Sequence, residues 1–415
     1  MKKRNVKALF SPILVVIFIA LGSVVAQNQS KTAPSTSKFF ELKDNDRVVF
    51  LGNSMFENEF QYGYLELALT TRWPGHNVTF RNLGWTGDNV WGEARSTFTN
   101  PPTPYEHLMQ QITKAQPTVV FVAYGGVEAQ EGEVGLPRFR DGLSKLLDKI
   151  DSLGAKSILL SPIPVRYDDA TANVEKRNAN LAIYASAIEK LASERGKMFI
   201  DIYKPIEEMS KKTIILENGV HLNEAGYYYL AEVLEKSLGL DPQPKPVSIA
   251  VTKDNAEAVA TAKILDADVK NGMLKFTTEE RFLPLPFPTN NPSISTKGQI
   301  IKVTGLKKGF YTLTADNQQV MTASEKKWAE GVEITQGTSF NQVSKLREMI
   351  LKKNEQFFFQ YRPLNRTYIL GFRSYEQGRH AKGLEEQSLI MKWLEGQIAL
   401  HSTPKPIVYQ LAPVK

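Results

Sequence analysis

"VVFLGNSMFENE", residues 48–59, decides how this chain is read. Four apolar residues, Val48 to Leu51, have the length of a buried strand. The turn residues Gly52 and Asn53 then deliver a serine, Ser54, to the strand's end. Comparable runs return at "NVTFRNL" (77–83), "TVVFVAY" (118–124), "KSILLS" (156–161) and "MFID" (198–201). Between them "YGYLELALTTRW", "YEHLMQQITKA", "PRFRDGLSKLLDKIDSLG" and "NVEKRNANLAIYASAIEKLASERG" space their apolar residues as helices do. Val-, Ile- and Phe-rich strands alternating with helices imply a parallel sheet covered on both faces, a three-layer α/β domain over residues 39–240.

A proline-rich break, "GLDPQPKPVS" (239–248), closes that domain. Short alternating pieces bounded by Gly, Asn and Asp follow, among them "GMLKFTT", "GQIIKVTG" and "GFYTLTAD", and predict a small antiparallel β unit over 247–337. From 338 to 415 the pattern is that of a helical tail, strongest in "QVSKLREMILKKNEQFFFQY" and "EQSLIMKWLEGQIAL".

The amino terminus has a basic start, an apolar stretch and a small-residue end at Val24-Val25-Ala26, which predicts a signal peptide over 1–26, cleaved after Ala26. A Ser/Thr/Lys-rich linker covers 27–38. The expected location is therefore outside the cytoplasm, periplasmic or extracellular, with membrane contact only if the leader stays attached. The 415-residue chain holds no cysteine, so packing alone must stabilise it. Part of its net charge of +7 lies in the leader, which argues against nucleic acid as a partner. Five histidines, scattered along the chain, give no metal cluster, and no cofactor is called for.

Ligands of open α/β sheets bind beyond the carboxyl ends of the strands. Four stretches fall there: "GNSM" after the first strand, "GWTGDN" after the second, "YGGVEA" after the third, and "ENGVHLNEAGY" before the domain's last helix. A serine becomes a nucleophile at neutral pH when an imidazole takes its proton, so Ser54 and His221 are the indispensable pair. His76, His107 and His401 read most simply as surface residues. Asn53, Asp88 and Glu128 are candidate substrate-lining residues, Asp88 equally a helix cap. Trp85, Trp91 and Tyr124 are either a carbohydrate platform or packing. In the tail, Phe357 to Phe359 read as core and the arginines around them as a solvated rim or a docking face.

In the order and spacing of these four blocks, residues 45–240 resemble the SGNH (GDSL) hydrolases, serine esterases and acylhydrolases of flavodoxin-like fold. The resemblance implies Ser54 as nucleophile, His221 as base, and an oxyanion hole built by Ser54, Gly87 and the position of Val127. It also marks departures: Asn53 stands where the first block usually has aspartate, Val127 where the third has an asparagine, and Asn218 where the fourth has the triad aspartate. Exchanging a triad aspartate for asparagine lowers turnover about ten-thousand-fold in a serine protease. Glu217, one residue further from His221, is a substitute partner, as is the backbone carbonyl at 218. The expectation is an exported esterase acting on a small-molecule or carbohydrate ester. The alternative is a glycan-binding or envelope interaction protein that kept the pocket and lost turnover.

Overall fold

The computed structural model describes residues 40–95, 102–166, 173–240, 244–259, 261–289, 298–362 and 377–414, with side chains from 383 onward in the last segment. The leader and linker lie outside these residues. From residue 47 the elements are β1 (Arg47–Gly52), α1 (Ser54–Tyr62), α2 (Tyr64–Arg72), β2 (Thr79–Asn82), α3 (Pro104–Ala115), β3 (Val119–Ala123), α4 (Leu136–Ser152), β4 (Lys156–Leu160), α5 (Val174–Glu194), β5 (Met198–Ile200), α6 (Tyr203–Ser210), β6 (Leu216–Glu217), β7 (His221–Leu222) and α7 (Glu224–Ser237).

Five strands form one parallel sheet in the order β2-β1-β3-β4-β5. Successive side chains of a strand face opposite sides, so Val48 and Phe50 join one core while Val49 and Leu51 join the other. Residues of α1, α2 and α7 fill the first core, and Leu108, Leu146 and Ile188 of α3, α4 and α5 the second. This is the three-layer flavodoxin-like arrangement expected of the α/β domain. Local signals set the helix ends. Thr103 caps α3 reciprocally with Glu106 ahead of Pro104, and Gly63 ends α1 in the left-handed conformation (φ 68°).

Two further sheets follow, built from β8 (Val247–Val251), β9 (Ala256–Ala258), β10 (Ala262–Asp268), β11 (Met273–Thr278), β12 (Gln299–Thr304), β13 (Phe310–Ala315), β14 (Gln318–Ser324) and, after α8 (Glu325–Glu330), β15 (Val332–Ile334). Then come α9 (Thr338–Tyr361), the helix Gln377–His401, here α10, and β16 (Ile407–Pro413). The structure thus adds a strand to the region read as helical. β16 sits at the centre of the antiparallel sheet β10-β11-β16-β13-β14, where Ile407, Tyr409 and Leu411 enter a third core around Trp328. The other sheet, β15-β12-β8-β9, contains one parallel pair, β12 with β8.

Helix α9 belongs to the α/β domain's packing. Its Val343, Leu346 and Ile350 enter the first core, and Lys353 pairs with Glu66 of α2 at 2.8 Å, both side chains being almost fully buried. Lys353 also donates to the Phe80 carbonyl, and the Tyr361 hydroxyl to that of Leu83, so α9 covers the open edge at β2. Arg362, beside the Phe357 to Phe359 run, pairs with Glu57, and Arg347, further up α9, pairs with Glu224 and lies over Tyr64, while the side chains of Arg366, Arg373 and Arg379 lie outside the described residues. Phe357, Phe358 and Phe359 are half-buried.

Candidate active site

At the end of β1 the chain passes so close to β3 that a Cβ on Gly52 would lie 2.4 Å from the Ala123 carbonyl oxygen. Only glycine permits this approach. Asn53 then caps α1: its side-chain oxygen accepts the Met55 N–H at 3.2 Å. Ser54 is consequently the first residue of the helix, at the end where N–H groups lack helical partners and the backbone dipole favours negative charge.

His221 reaches the same place by a different route. Strands β6 and β7 form a tight hairpin, with Glu217 opposite His221 and left-handed backbone at Asn218 (φ 50°) and Gly219 (φ 71°). Asparagine tolerates that conformation better than most residues, which gives Asn218 a backbone role in the turn. The hairpin is pinned by the Arg166 N–H on the Gly219 carbonyl at 2.8 Å. Just beyond it Asn223 caps α7, and the Tyr227 hydroxyl of α7 donates to the Met55 carbonyl of α1 at 2.6 Å. The histidine-bearing turn and the serine-bearing helix are thereby tied together.

Ser54 and His221 line one cavity of about 540 Å³ beyond the carboxyl edge of the sheet. Asn53, Gly126, Val127 and Pro162 are among its other walls. Among the described residues no hydrogen bond yet joins the Ser54 hydroxyl to the His221 ring, and no aspartate or glutamate lines the cavity. Asn218 and Glu217 are both exposed on the hairpin and off the wall.

Other sequence candidates sit elsewhere. Gly87 is exposed, with φ 78°, on a loop that packs over α1 through Gly84, and it is not on the cavity wall. Asp88 and Glu128, read as substrate-lining, are instead buried and engaged. Asp88 accepts from Arg95 at 2.6 Å and from the Tyr124 hydroxyl at 3.0 Å, and burial pushes its carboxyl up against the pull of the guanidinium. Glu128 accepts the N–H groups of Val90 (2.9 Å) and Gly125 (2.8 Å), clamping the second loop to the third; burial raises it to about 7. Trp85 and Tyr124 are buried, and Trp91 is half-buried beside Tyr105. His76, His107 and His401 are half-buried rather than on the surface, each with a ring nitrogen 2.7 to 3.0 Å from a main-chain carbonyl. Among the described residues no three His, Asp or Glu side chains gather as metal ligands.

Missed by the sequence reading were the cavity walls after β4 and on α5, such as Pro162 and Asn180. The rule that ligands sit beyond strand ends was the available signal, since the fourth strand ends there.

A serine at a helix start and a histidine on the wall of the same cavity, both beyond a parallel sheet, are the pair of groups that serine-hydrolase chemistry uses. Residues 50–229 match the model of the GDSL-like lipase/acylhydrolase family, so this part of the chain is a GDSL-like lipase/acylhydrolase domain. No curated protein matches the sequence. Among solved structures, a gut microbial diltiazem-metabolizing enzyme aligns with a TM-score of 0.71 at 18% identity, over 90% of this chain and 99% of that one. Its fold therefore recurs across nearly the whole chain, β unit and carboxyl-terminal helices included. An acetylxylan esterase from Geobacillus stearothermophilus aligns at 15% identity and a TM-score of 0.38, over 49% of this chain and 98% of its own. A second acetyl xylan esterase aligns at 16% identity and a TM-score of 0.37, over 46% and 98%.

Proposed function

We propose that the protein is an exported esterase that cleaves an acyl ester, of the carbohydrate O-acetyl class, through an acyl-enzyme formed on Ser54. The observation that carries this reading is the shared cavity of Ser54 and His221. His221 takes the Ser54 proton as Oγ attacks the ester carbonyl. The same imidazole then gives that proton to the leaving alkoxide, and water repeats the cycle on the acyl-serine. Negative charge on the carbonyl oxygen develops beside the first N–H groups of α1, where the helix dipole supports it. With no carboxylate on the wall among the described residues, His221 works as a base in a dyad, which favours slow turnover. The leader supports export, and export supports a polymeric carbohydrate as substrate.

The same lack of a carboxylate also favours the second reading, a glycan-binding protein with a retired hydrolase pocket. A fluorophosphonate probe separates the two. Esterase chemistry gives one adduct at Ser54, lost in His221→Ala, together with 4-nitrophenyl acetate hydrolysis that falls at least about 100-fold in Ser54→Ala and His221→Ala. Equal rates in all three folded proteins and no adduct would sink it in favour of the binder.

A further inference from the structure

We propose that the side-chain amide of Asn53 is an oxyanion donor for the Ser54 reaction, an inference that rests on the esterase reading and deepens it. Acyl transfer needs preorganised donors where the carbonyl oxygen becomes negative, and they must flank the nucleophile. Ser54's own N–H, at the first position of α1, is one such group. The third loop offers no side-chain donor at Val127, which presents only methyl groups, and the Glu128 carboxylate is occupied by the Val90 and Gly125 N–H groups. Asn180, another amide of the cavity wall, lies against Gly132 instead.

Asn53 is placed for the task. Its Oδ1 is committed to the Met55 N–H, which fixes the amide plane and directs the other end, Nδ2, away from the helix. Nδ2 reaches across to the third loop, so that a Cβ on Gly126 would lie only 3.3 Å from it. Asn53, Ser54 and Gly126 are neighbouring walls of the same cavity, and among the described residues Nδ2 has no acceptor. A donor thus stands unengaged beside the nucleophile, in the gap between the loops after β1 and β3. An aspartate here would keep the cap but has no proton to give the oxyanion; asparagine keeps the cap and supplies one.

Asn53→Ser and Asn53→Asp test this, because both side chains cap helices as well as asparagine does while removing the amide donor. The expected result, with 4-nitrophenyl acetate, is a fall in kcat of about 100- to 1,000-fold at a KM within about threefold of wild type, with an unchanged thermal midpoint. A residue with a purely structural capping role, kept in both variants, would leave kcat and the midpoint in place. If both variants keep kcat within about threefold while turnover still depends on Ser54, the Asn53 assignment is overturned and the esterase reading stands. If the wild type shows no turnover that depends on Ser54, both are overturned.

Discussion

Glu59 sits in α1, 1% exposed, one turn and a half beyond Ser54. One carboxyl oxygen accepts the Leu65 N–H at 2.6 Å, and the other has no partner among the described residues. Burial drives this group from 4.5 to about 8, with Glu66 adding to the rise and the Leu65 N–H and Arg347 opposing it. The folded protein therefore holds a proton that the unfolded chain releases. Stability from this site is complete below pH 4.5 and is lost as pH climbs through about 8. A shift of that size corresponds to about 5 kcal/mol in all, of which about 3 kcal/mol falls between pH 5 and pH 8. Glu59→Gln keeps the shape and the acceptor for Leu65 and abolishes the titration. Urea unfolding of both proteins at pH 5, 6, 7 and 8 isolates the effect, since the other titrating groups, Glu128 included, cancel in the difference. The variant should gain about 3 kcal/mol on the wild type from pH 5 to pH 8. Parallel pH curves for the two proteins would refute the reasoning.

Lys353→Met leaves Glu66 charged and alone in the core between α2 and α9, so urea unfolding should show a loss of about 3 to 5 kcal/mol, most of it recovered in Lys353→Met/Glu66→Leu. The same pair of measurements tells whether α9 unfolds with the α/β domain, as its place in the first core requires. Gly84→Ala puts a Cβ 2.2 Å from the Glu57 N of α1, pushing the loop that carries Gly87 off the serine helix. A stability loss of about 1 to 3 kcal/mol is expected by thermal unfolding, together with slower 4-nitrophenyl acetate hydrolysis.

Much of the α/β domain was legible because its signals are local. Val48 to Leu51 are apolar at every position, as a strand covered on both faces must be. Capping residues announce α3 and α7 within a few positions of their starts. Strand β16 carried the alternation of Ile407, Tyr409 and Leu411, yet its seven residues, from the one after Pro406 to Pro413, read as the end of a helical region. Its partners, β11 and β13, lie more than ninety residues earlier, and pairing across such a span leaves no local mark.

For the site, sequence determined that a serine follows the first strand and that a histidine precedes the α/β domain's last helix, because turn chemistry acts over three or four residues, whereas the helix that begins at Ser54 came from the structure. Tertiary structure alone decided what the charged and polar residues near them do. It turned Asp88 inward to Arg95 and Glu128 inward to two backbone N–H groups, left Asn218 and Glu217 outside, and aimed the Asn53 amide at Gly126. A carboxylate or amide in a loop has the same letter whether it faces substrate or core. Which it faces depends on partners brought up from distant parts of the chain, and burying a charge is tolerable only where those partners meet it.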